Sequence, residues 1–256
     1  MRDHFVSNGI FILKSVTVSK KVHLLKSQNT IIMKKLFSLG LSLIATAVFS
    51  QQMIDTEVGD FNKIKVFDLI EVNLIQSDDN RITIKGRNVD DIVWMNKDGV
   101  LKLRMQLDKK FLGEDTLIEV FYTNLDVIDG NEGAKITCNE LVKKNKIELR
   151  AQEGAKIHIG MDVEYAEIRA VTGGIVQATG LAQNQSIVLN TGGIFDGRDL
   201  RTATTDIKVS AGGEADIFAS EEVDINIKAG GDVHVYGKPK KVYKNTFVGG
   251  RVYIVD

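Results

Sequence analysis

Three side chains that could bind a ligand or take part in catalysis recur at nearly regular spacing. Asp196, Asp216 and His234 stand 20 and 18 residues apart, and each lies three residues after the second glycine of a Gly-Gly pair. If each pair marks the same point of a structural repeat, the two carboxylates lie on neighbouring strands about 5 Å apart, with the imidazole on the next strand. Such carboxylates raise each other's pKa or recruit a cation. We therefore predict a binding site for a cation such as calcium, or for a cation-bridged glycan.

The same arrangement leaves two alternatives open. Retaining glycosidases use a pair of carboxyl groups at about 5 Å, so a catalytic pair is one alternative. A solvated face, on which the charges swing apart into water, is the other. Counted in the same way, the neighbouring units contribute Lys135, Lys156 and Gln177 before Asp196, and Tyr253 after His234. This order predicts a face that runs from basic to acidic.

Other reactive residues do not assemble into a catalytic group. His158 and His234 fall four repeat units apart, roughly 19 Å at the strand spacing, which is too far to share a metal ion. Cys138 is the single cysteine of the chain, which excludes an internal disulfide and cysteine-based zinc sites. We expect a buried, unreactive thiol. No phosphate-binding loop, dinucleotide fingerprint or nucleophile elbow is present.

A repeat of about twenty residues organises the second half of the chain. Five glycine pairs end at Gly174, Gly193, Gly213, Gly231 and Gly250, which are 19, 20, 18 and 19 residues apart. Apolar residues alternate with polar ones before each pair, as in a half-buried strand. Inward columns of like residues are predicted for Ile168, Ile187, Ile207 and Ile225, and for Leu189, Val209 and Ile227.

These columns favour an all-β fold, a right-handed parallel β-helix or solenoid-like stack with turns of about 20 residues. Two earlier units join if Glu132 and Glu153 replace the second glycine, so the stack is expected from residue 132 to about 255. A two-sheet sandwich with glycine hairpins is the alternative. Residues 57–131 are predicted to add several β-strands before the repeat, with one short helix between Asn88 and Met95.

The first fifty residues have the pattern of an export signal. Lys34 and Lys35 precede fourteen uncharged residues, 36–49, and Ser50 ends a small-residue cleavage pattern before Gln51. Fourteen helical residues span only about 21 Å, too short to cross a bilayer, so we expect no stable membrane span after cleavage. The expected organisation is an upstream extension or long n-region at 1–32, a signal peptide at 33–50 and one domain at 51–256.

Charge limits the class of partner. The whole chain has 33 basic and 34 acidic side chains, but residues 1–50 contain seven of the basic ones and one of the acidic ones. The expected mature chain therefore has a net charge of −7. An acidic exported domain is a poor ligand for nucleic acid, so no nucleic-acid partner is expected.

The order of strands and glycine repeats resembles a known bacterial family. The stretches that carry the resemblance are 61–66, 70–76, 82–86 and 98–103, followed by the glycine pairs. Together they are similar to the putative auto-transporter adhesin, head GIN-domain family over roughly residues 57–254. The resemblance implies an exported, β-helix-like domain with an adhesive or binding role, and it brings no catalytic residues.

The predicted function is an exported, non-enzymatic binding or adhesion-type domain of the bacterial cell envelope, in the periplasm or at the outer surface. Its partner is expected to be a glycan or an envelope protein. Two alternatives stay open: a carbohydrate-active β-helix enzyme and a purely structural envelope scaffold. No catalytic residue is proposed, and Asp196, Asp216 and His234 are the candidate binding residues.

Overall fold

The computed structural model describes residues 53–86 and 88–255. The upstream extension at 1–32 and the signal peptide at 33–50 lie outside the described residues. Within the described part, no helix is long and apolar enough to span a membrane.

The described chain consists almost entirely of strands, which confirms the predicted all-β class. Two short 3₁₀ helices, Val89–Asp91 and Leu107–Lys109, interrupt it. The strands in chain order are β1 Met53–Glu57, β2 Lys63–Val66, β3 Glu71–Gln76, β4 Arg81–Gly86, β5 Ile92–Lys97, β6 Val100–Met105, β7 Thr116–Tyr122, β8 Val127–Gly130, β9 Lys135–Gln152, β10 Lys156–Val171, β11 Ile175–Asn190, β12 Ile194–Gly197, β13 Leu200–Ser210, β14 Gly213–Phe218, β15 Glu222–Tyr236 and β16 Lys241–Ile254.

The strands form two ladders that share one core. The first ladder consists of the strand segments that follow the glycine turns, in the order β1–β4–β7–β3–β9–β10–β11–β12–β14–β15–β16. The second ladder consists of the segments that precede the next glycine turn, in the order β5–β6–β2–β8–β9–β10–β11–β13–β15–β16. The long strands β9, β10, β11, β15 and β16 continue from one ladder into the other. Pairing is parallel except for the β1–β4, β4–β7 and β5–β6 pairs, which are antiparallel. Lys156 pairs with Ile175 and Ile175 with Ile194, a period of 19 residues, so the predicted solenoid is confirmed.

The core is built from the inward columns that the sequence predicted. Ile187 pairs with both Ile168 and Ile207, and Ile207 pairs with Ile225. The predicted residues of both columns are at most 2% exposed. Because a single turn cannot bury its own apolar side chains, each turn depends on its two neighbours for stability.

The glycine turns reverse the chain between the ladders. Thr191 and Gly192 both have left-handed backbone angles, with φ of 47° and 71°. A Cβ at Gly193 would lie 1.9 Å from the carbonyl oxygen of Ala170, so the second glycine is required by close contact with the preceding turn.

Two details of the predicted register were wrong. Glu132 and Glu153 have φ of 50° and 53°, and therefore occupy the left-handed position that Thr172 and Thr191 occupy in later turns. Alanine, not glutamate, takes the place of the second glycine in those two units, which shifts them by two residues. Lys156 consequently lies beside Ile175, outside the Asp196–Asp216 column. The predicted basic-to-acidic face is thus incorrect.

The stack also begins earlier than residue 132. Strand β3 pairs in parallel with β9 on the first ladder, and β8 does so on the second. The predicted helix between Asn88 and Met95 is limited to one 3₁₀ turn, because Ile92 starts strand β5, which pairs with β6. Pairing with an existing sheet edge outweighs the weak local preference for a helix.

Candidate functional site

The three predicted residues lie side by side on the outward surface of the first ladder. Asp196 pairs with Asp216, and Asp216 pairs with His234. The column continues on both sides, and we call it the polar ladder. Its members, in order along the stack, are Thr137, His158, Gln177, Asp196, Asp216, His234 and Tyr253.

Hydrogen bonds connect these side chains along the stack in two groups. The Nδ1 of His158 lies 3.0 Å from Oε1 of Gln177, whose Nε2 donates to Oδ2 of Asp196 at 3.1 Å. In the second group, Nδ1 of His234 lies 3.0 Å from Oδ1 of Asp216. Asp196 and Asp216 are thus each held by a different neighbour, and the order of donors and acceptors along the column is fixed.

Aromatic rings close the C-terminal end of the polar ladder. The imidazole of His234 stacks on the ring of Tyr253, with centroids 4.8 Å apart and planes inclined by 16°. The parallel rings follow from the strand register, because the two residues face each other on β15 and β16. The outer surface of Tyr253 is exposed and can contact a flat, apolar group of a ligand.

An arginine beside the column compensates the charge of Asp216. The Nη2 of Arg198 donates to Oδ2 of Asp216 at 3.1 Å and to the hydroxyl oxygen of Tyr236 at 2.7 Å. Its guanidinium also lies 4.6 Å from the centre of the Tyr236 ring. These contacts add to the hydrogen bond from His234, so Asp216 has protein partners on both oxygens.

A shallow concavity of about 350 Å³ lies over the middle of the polar ladder. Asp196, Asp216 and His234 line it, together with Glu214, Asp232 and three apolar or small residues, Ile194, Phe195 and Ala215. Arg251 donates to Asp232 at 2.7 Å at its rim and lowers the pKa of that carboxyl. Three of the four carboxylates that line the concavity, Asp196, Asp216 and Asp232, are thus already oriented by protein donors.

The arrangement supports hydrogen bonding more directly than metal binding. Among residues 53–86 and 88–255, no group of three or more histidine, cysteine, aspartate or glutamate side chains is arranged to hold a metal ion. Calcium takes six to eight oxygen ligands, whereas both oxygens of Asp216 already accept from Arg198 and His234. A cation would have to displace these partners.

Sequence reasoning missed three members of this surface. His158 was excluded by the two-residue register error, and it belongs to the polar ladder through Gln177. Arg198 and Tyr236 lie outside the column and reach it only through their side chains. Arg198 lies in the short connection between β12 and β13, which the sequence alone could not place. Its partners Asp216 and Tyr236 can be identified only when the positions of β14 and β15 are known.

A second, larger concavity of about 580 Å³ lies where the long strands pass between the ladders. Leu181 and Phe218 form its apolar part, and Arg201 covers the Phe218 ring at 5.2 Å. Lys144 and Asp162 add opposite charges to its lining. The mixture does not select one class of ligand.

Comparisons with known proteins agree on the family. The family model described as "Putative auto-transporter adhesin, head GIN domain" matches residues 60–239. No curated protein matches the chain. The chain belongs to this family, and the predicted resemblance is confirmed.

Solved structures share the fold. A putative adhesin from Bacteroides fragilis superposes with a TM-score of 0.75 at 18% identity, covering 81% of this chain and 98% of the other. A putative lipid binding protein from Parabacteroides distasonis gives 0.61 at 15% identity, with 82% and 98% covered. A putative adhesin from Parabacteroides merdae gives 0.58 at 16% identity, again with 82% and 98% covered.

Proposed function

We propose that this member of the head GIN domain family is an exported, non-enzymatic binding domain of the bacterial cell envelope, and that its polar ladder binds a glycan. Export is inferred from the signal pattern at 33–50, and an adhesive role from the family. The observation that carries the glycan proposal is the continuous series of polar side chains from His158 to His234, ending on the exposed ring of Tyr253.

The chemistry of the column fits a sugar polymer. Amide, carboxylate and imidazole groups are the donors and acceptors that bind hydroxyl groups in fixed directions, and an aromatic ring packs on the apolar face of a sugar. Successive rungs are about 4.8 Å apart, close to the length of one sugar unit in an extended chain. A polymer that follows the stack would thus meet a new side chain at each unit.

A glycan array on the purified domain, residues 51–256, is the first test. For the glycan that binds, the affinity of Asp216→Asn is compared with that of wild type. The amide keeps the shape of the side chain but loses its charge, and a hydrogen bond to a charged group contributes about 1.5–3 kcal/mol, so we expect binding to weaken by about tenfold or more.

Asp206→Asn is the matched control, because Asp206 lies outward on the second ladder and pairs with Lys208 at 3.6 Å. Its affinity should equal that of wild type. An array on which no glycan binds, or an equal loss in both variants, would contradict the proposal. An array on which no glycan binds would favour the alternative that the domain is a purely structural envelope scaffold.

The same reagents separate the remaining alternatives. If calcium bridges the glycan, millimolar calcium should raise the melting temperature of wild type but not of Asp216→Asn, by mass action on the folded state. Because Asp216 is compensated by Arg198 and His234, we expect binding to persist in a chelator. A carbohydrate-active enzyme would instead release new reducing ends from the bound glycan.

A further inference from the structure

The N-terminal end of the second ladder concentrates positive charge on a domain that is acidic in total. Its outward positions on β5, β6, β2, β9 and β10 include seven cationic side chains, and we call this surface the basic face. These residues are Lys63, Lys65, Lys97, Lys102, Arg104, Arg150 and Arg169.

Four of the seven follow one column along the stack. Lys102 pairs with Lys65, Lys65 with Asp129, Asp129 with Arg150, and Arg150 with Arg169. Five neighbouring strands at about 4.8 Å span roughly 19 Å, so the cations form a line rather than a pocket.

The acidic residues of the basic face neutralise only part of it. Asp129 is 1% exposed and lies 3.2 Å from Nζ of Lys65 and 3.9 Å from that of Lys63, while also accepting from Asn131 and Gln152. Glu148 pairs with Nε of Arg150 at 2.5 Å. Glu167 lies beside Glu148 on β10 and pairs with Lys146 at 2.8 Å. These carboxylates therefore pair with Lys63, Lys65, Arg150 and Lys146 rather than with the outer cations of the face.

The outer cations are not neutralised by the described part of the chain. Within residues 53–86 and 88–255, Lys97, Lys102, Arg104 and Arg169 form no ion pair. Burial, together with repulsion from Arg150 and Lys65, lowers the pKa of Lys63, and Asp129 and Glu148 do not offset it. The local excess of positive charge is thus present despite the net charge of −7 for residues 51–256.

We propose that the basic face binds an acidic polysaccharide, a linear polymer that carries carboxylate or sulfate groups on successive sugar units. A single small anion could reach the cations of only one or two rungs, whereas a polymer along the axis can pair with all of them. Opposite charges also speed association and make it sensitive to salt. This site lies on the other ladder and does not depend on the polar ladder.

Dextran sulfate is the probe, with neutral dextran as its uncharged counterpart, and affinity is measured by biolayer interferometry at 50 and 200 mM NaCl. The variant is Lys102→Gln with Arg169→Gln, two exposed positions in the column. We expect wild type to bind dextran sulfate but not dextran, with weaker binding at the higher salt. The variant should bind about tenfold or more weakly at 50 mM NaCl and depend less on salt.

The matched control is Lys228→Gln with Lys244→Gln, which removes the same charge from exposed positions on the C-terminal turns, outside the column of Arg169, where neither lysine forms an ion pair within the described residues. It should stay within about twofold of wild type. An equal loss in both double variants, or binding of neutral dextran, would overturn the proposal, because either would show attraction unrelated to this face. Equal melting temperatures confirm that the variants are folded, and the single change Arg169→Gln repeats the test if they are not.

Two further arms identify the partner and keep this proposal separate from the previous one. Asp216→Asn should bind dextran sulfate like wild type, even if glycan binding by the polar ladder fails. Vesicles of anionic phospholipid test a membrane as the partner, because exposed Val93 and Met95 border the basic face. Binding to vesicles without binding to dextran sulfate would overturn the assignment to a polysaccharide.

Discussion

At the scale of single residues, the carboxyl groups of Asp68 and Glu132 each have a buried oxygen without a hydrogen-bond partner among the described residues. Asp68 is fully buried, and while its Oδ2 accepts from the backbone N–H of Met105, its Oδ1 has no partner among the described residues. Oε2 of Glu132 is likewise buried and unpartnered there. Burial and the neighbouring Asp68 raise the pKa of Glu132, Glu153 adds to the increase, and Lys110 opposes it.

This pair predicts a specific dependence of stability on pH. Because the pKa of Glu132 is raised on folding, the folded state holds the proton more tightly than the unfolded state. The free energy of unfolding should then fall as pH rises from the ordinary carboxyl value of 4.5 through the raised value. Denaturant unfolding between pH 4 and 8 should show a smaller fall for Glu132→Gln than for wild type.

Glu153→Gln provides the control, since Glu153 has the same left-handed backbone angle one turn later but is exposed. Glu153 is the smallest of the causes that raise the pKa of Glu132, so the pH dependence of this variant should lie much closer to that of wild type than to that of Glu132→Gln. Identical profiles for wild type and Glu132→Gln would show that the pair does not hold an extra proton. Acidic groups with lowered pKa, such as Asp126, change stability in the opposite direction, so the difference between variants is the informative quantity.

The sequence predicted the positions of site residues correctly only in those repeat units that contain a Gly-Gly pair. The spacing of the glycine pairs was enough to place Asp196, Asp216 and His234 on neighbouring strands, although their binding role stays a prediction. It misplaced Lys135 and Lys156, because their turns have alanine where later turns have the second glycine. The contact of Asp68 with Glu132 joins residues 64 positions apart, and Asp68 lies in a turn that has no glycine pair to mark it.

At the scale of elements, the two glycines of a turn have different roles, and substitutions should separate them. Gly192 has a left-handed φ of 71°, but a methyl group added there would have no atom within 4 Å, so alanine should cost about 1–2 kcal/mol from backbone strain alone. At Gly193, the added Cβ would lie 1.9 Å from the Ala170 carbonyl oxygen, and the backbone must move. Gly193→Ala should therefore destabilise clearly more than Gly192→Ala.

Thermal or urea unfolding of both variants measures the difference. Equal losses would mean that the turns separate easily and that close contact between successive turns contributes little. A larger loss of stability in Gly192→Ala would contradict the prediction, because it would mean that left-handed backbone strain costs more than the close contact at Gly193. Asp196 lies three residues after Gly193, so its position in the polar ladder depends on this turn.

Strands were easier to predict than their partners. Alternation predicted several strands between residues 57 and 131, because a half-buried strand shows a period of two whatever it pairs with. The same signal does not tell a parallel neighbour from an antiparallel one. The stack was therefore predicted to begin at the first recognisable turn, whereas β2 and β3 already form a rung below β9. The basic face, which combines β5, β6, β2, β9 and β10, could not be predicted for the same reason.

At the scale of the whole molecule, the two ladders separate charge across one core. The polar ladder and its concavity present carboxylates on the first ladder, and the basic face presents cations at the N-terminal end of the second. Both surfaces use outward columns that the core does not need, so their side chains can change without loss of the inward packing. If both binding proposals hold, the two polymers would occupy separate surfaces of one stack.

The last prediction concerns how stability varies along the stack. Each turn contacts only its neighbours, so a turn covered on one side should open at lower cost than one covered on both. Among the described residues, strand β16 pairs only with β15, and none of its residues is buried, whereas β10 lies between β9 and β11. Hydrogen exchange followed by mass spectrometry should show peptides from 241–254 exchanging at least tenfold faster than those from 156–171. Equal protection from exchange would mean that a second molecule or a segment outside the described residues covers β16. Dilution would distinguish these two cases, because only a contact between molecules is lost when the protein concentration is lowered.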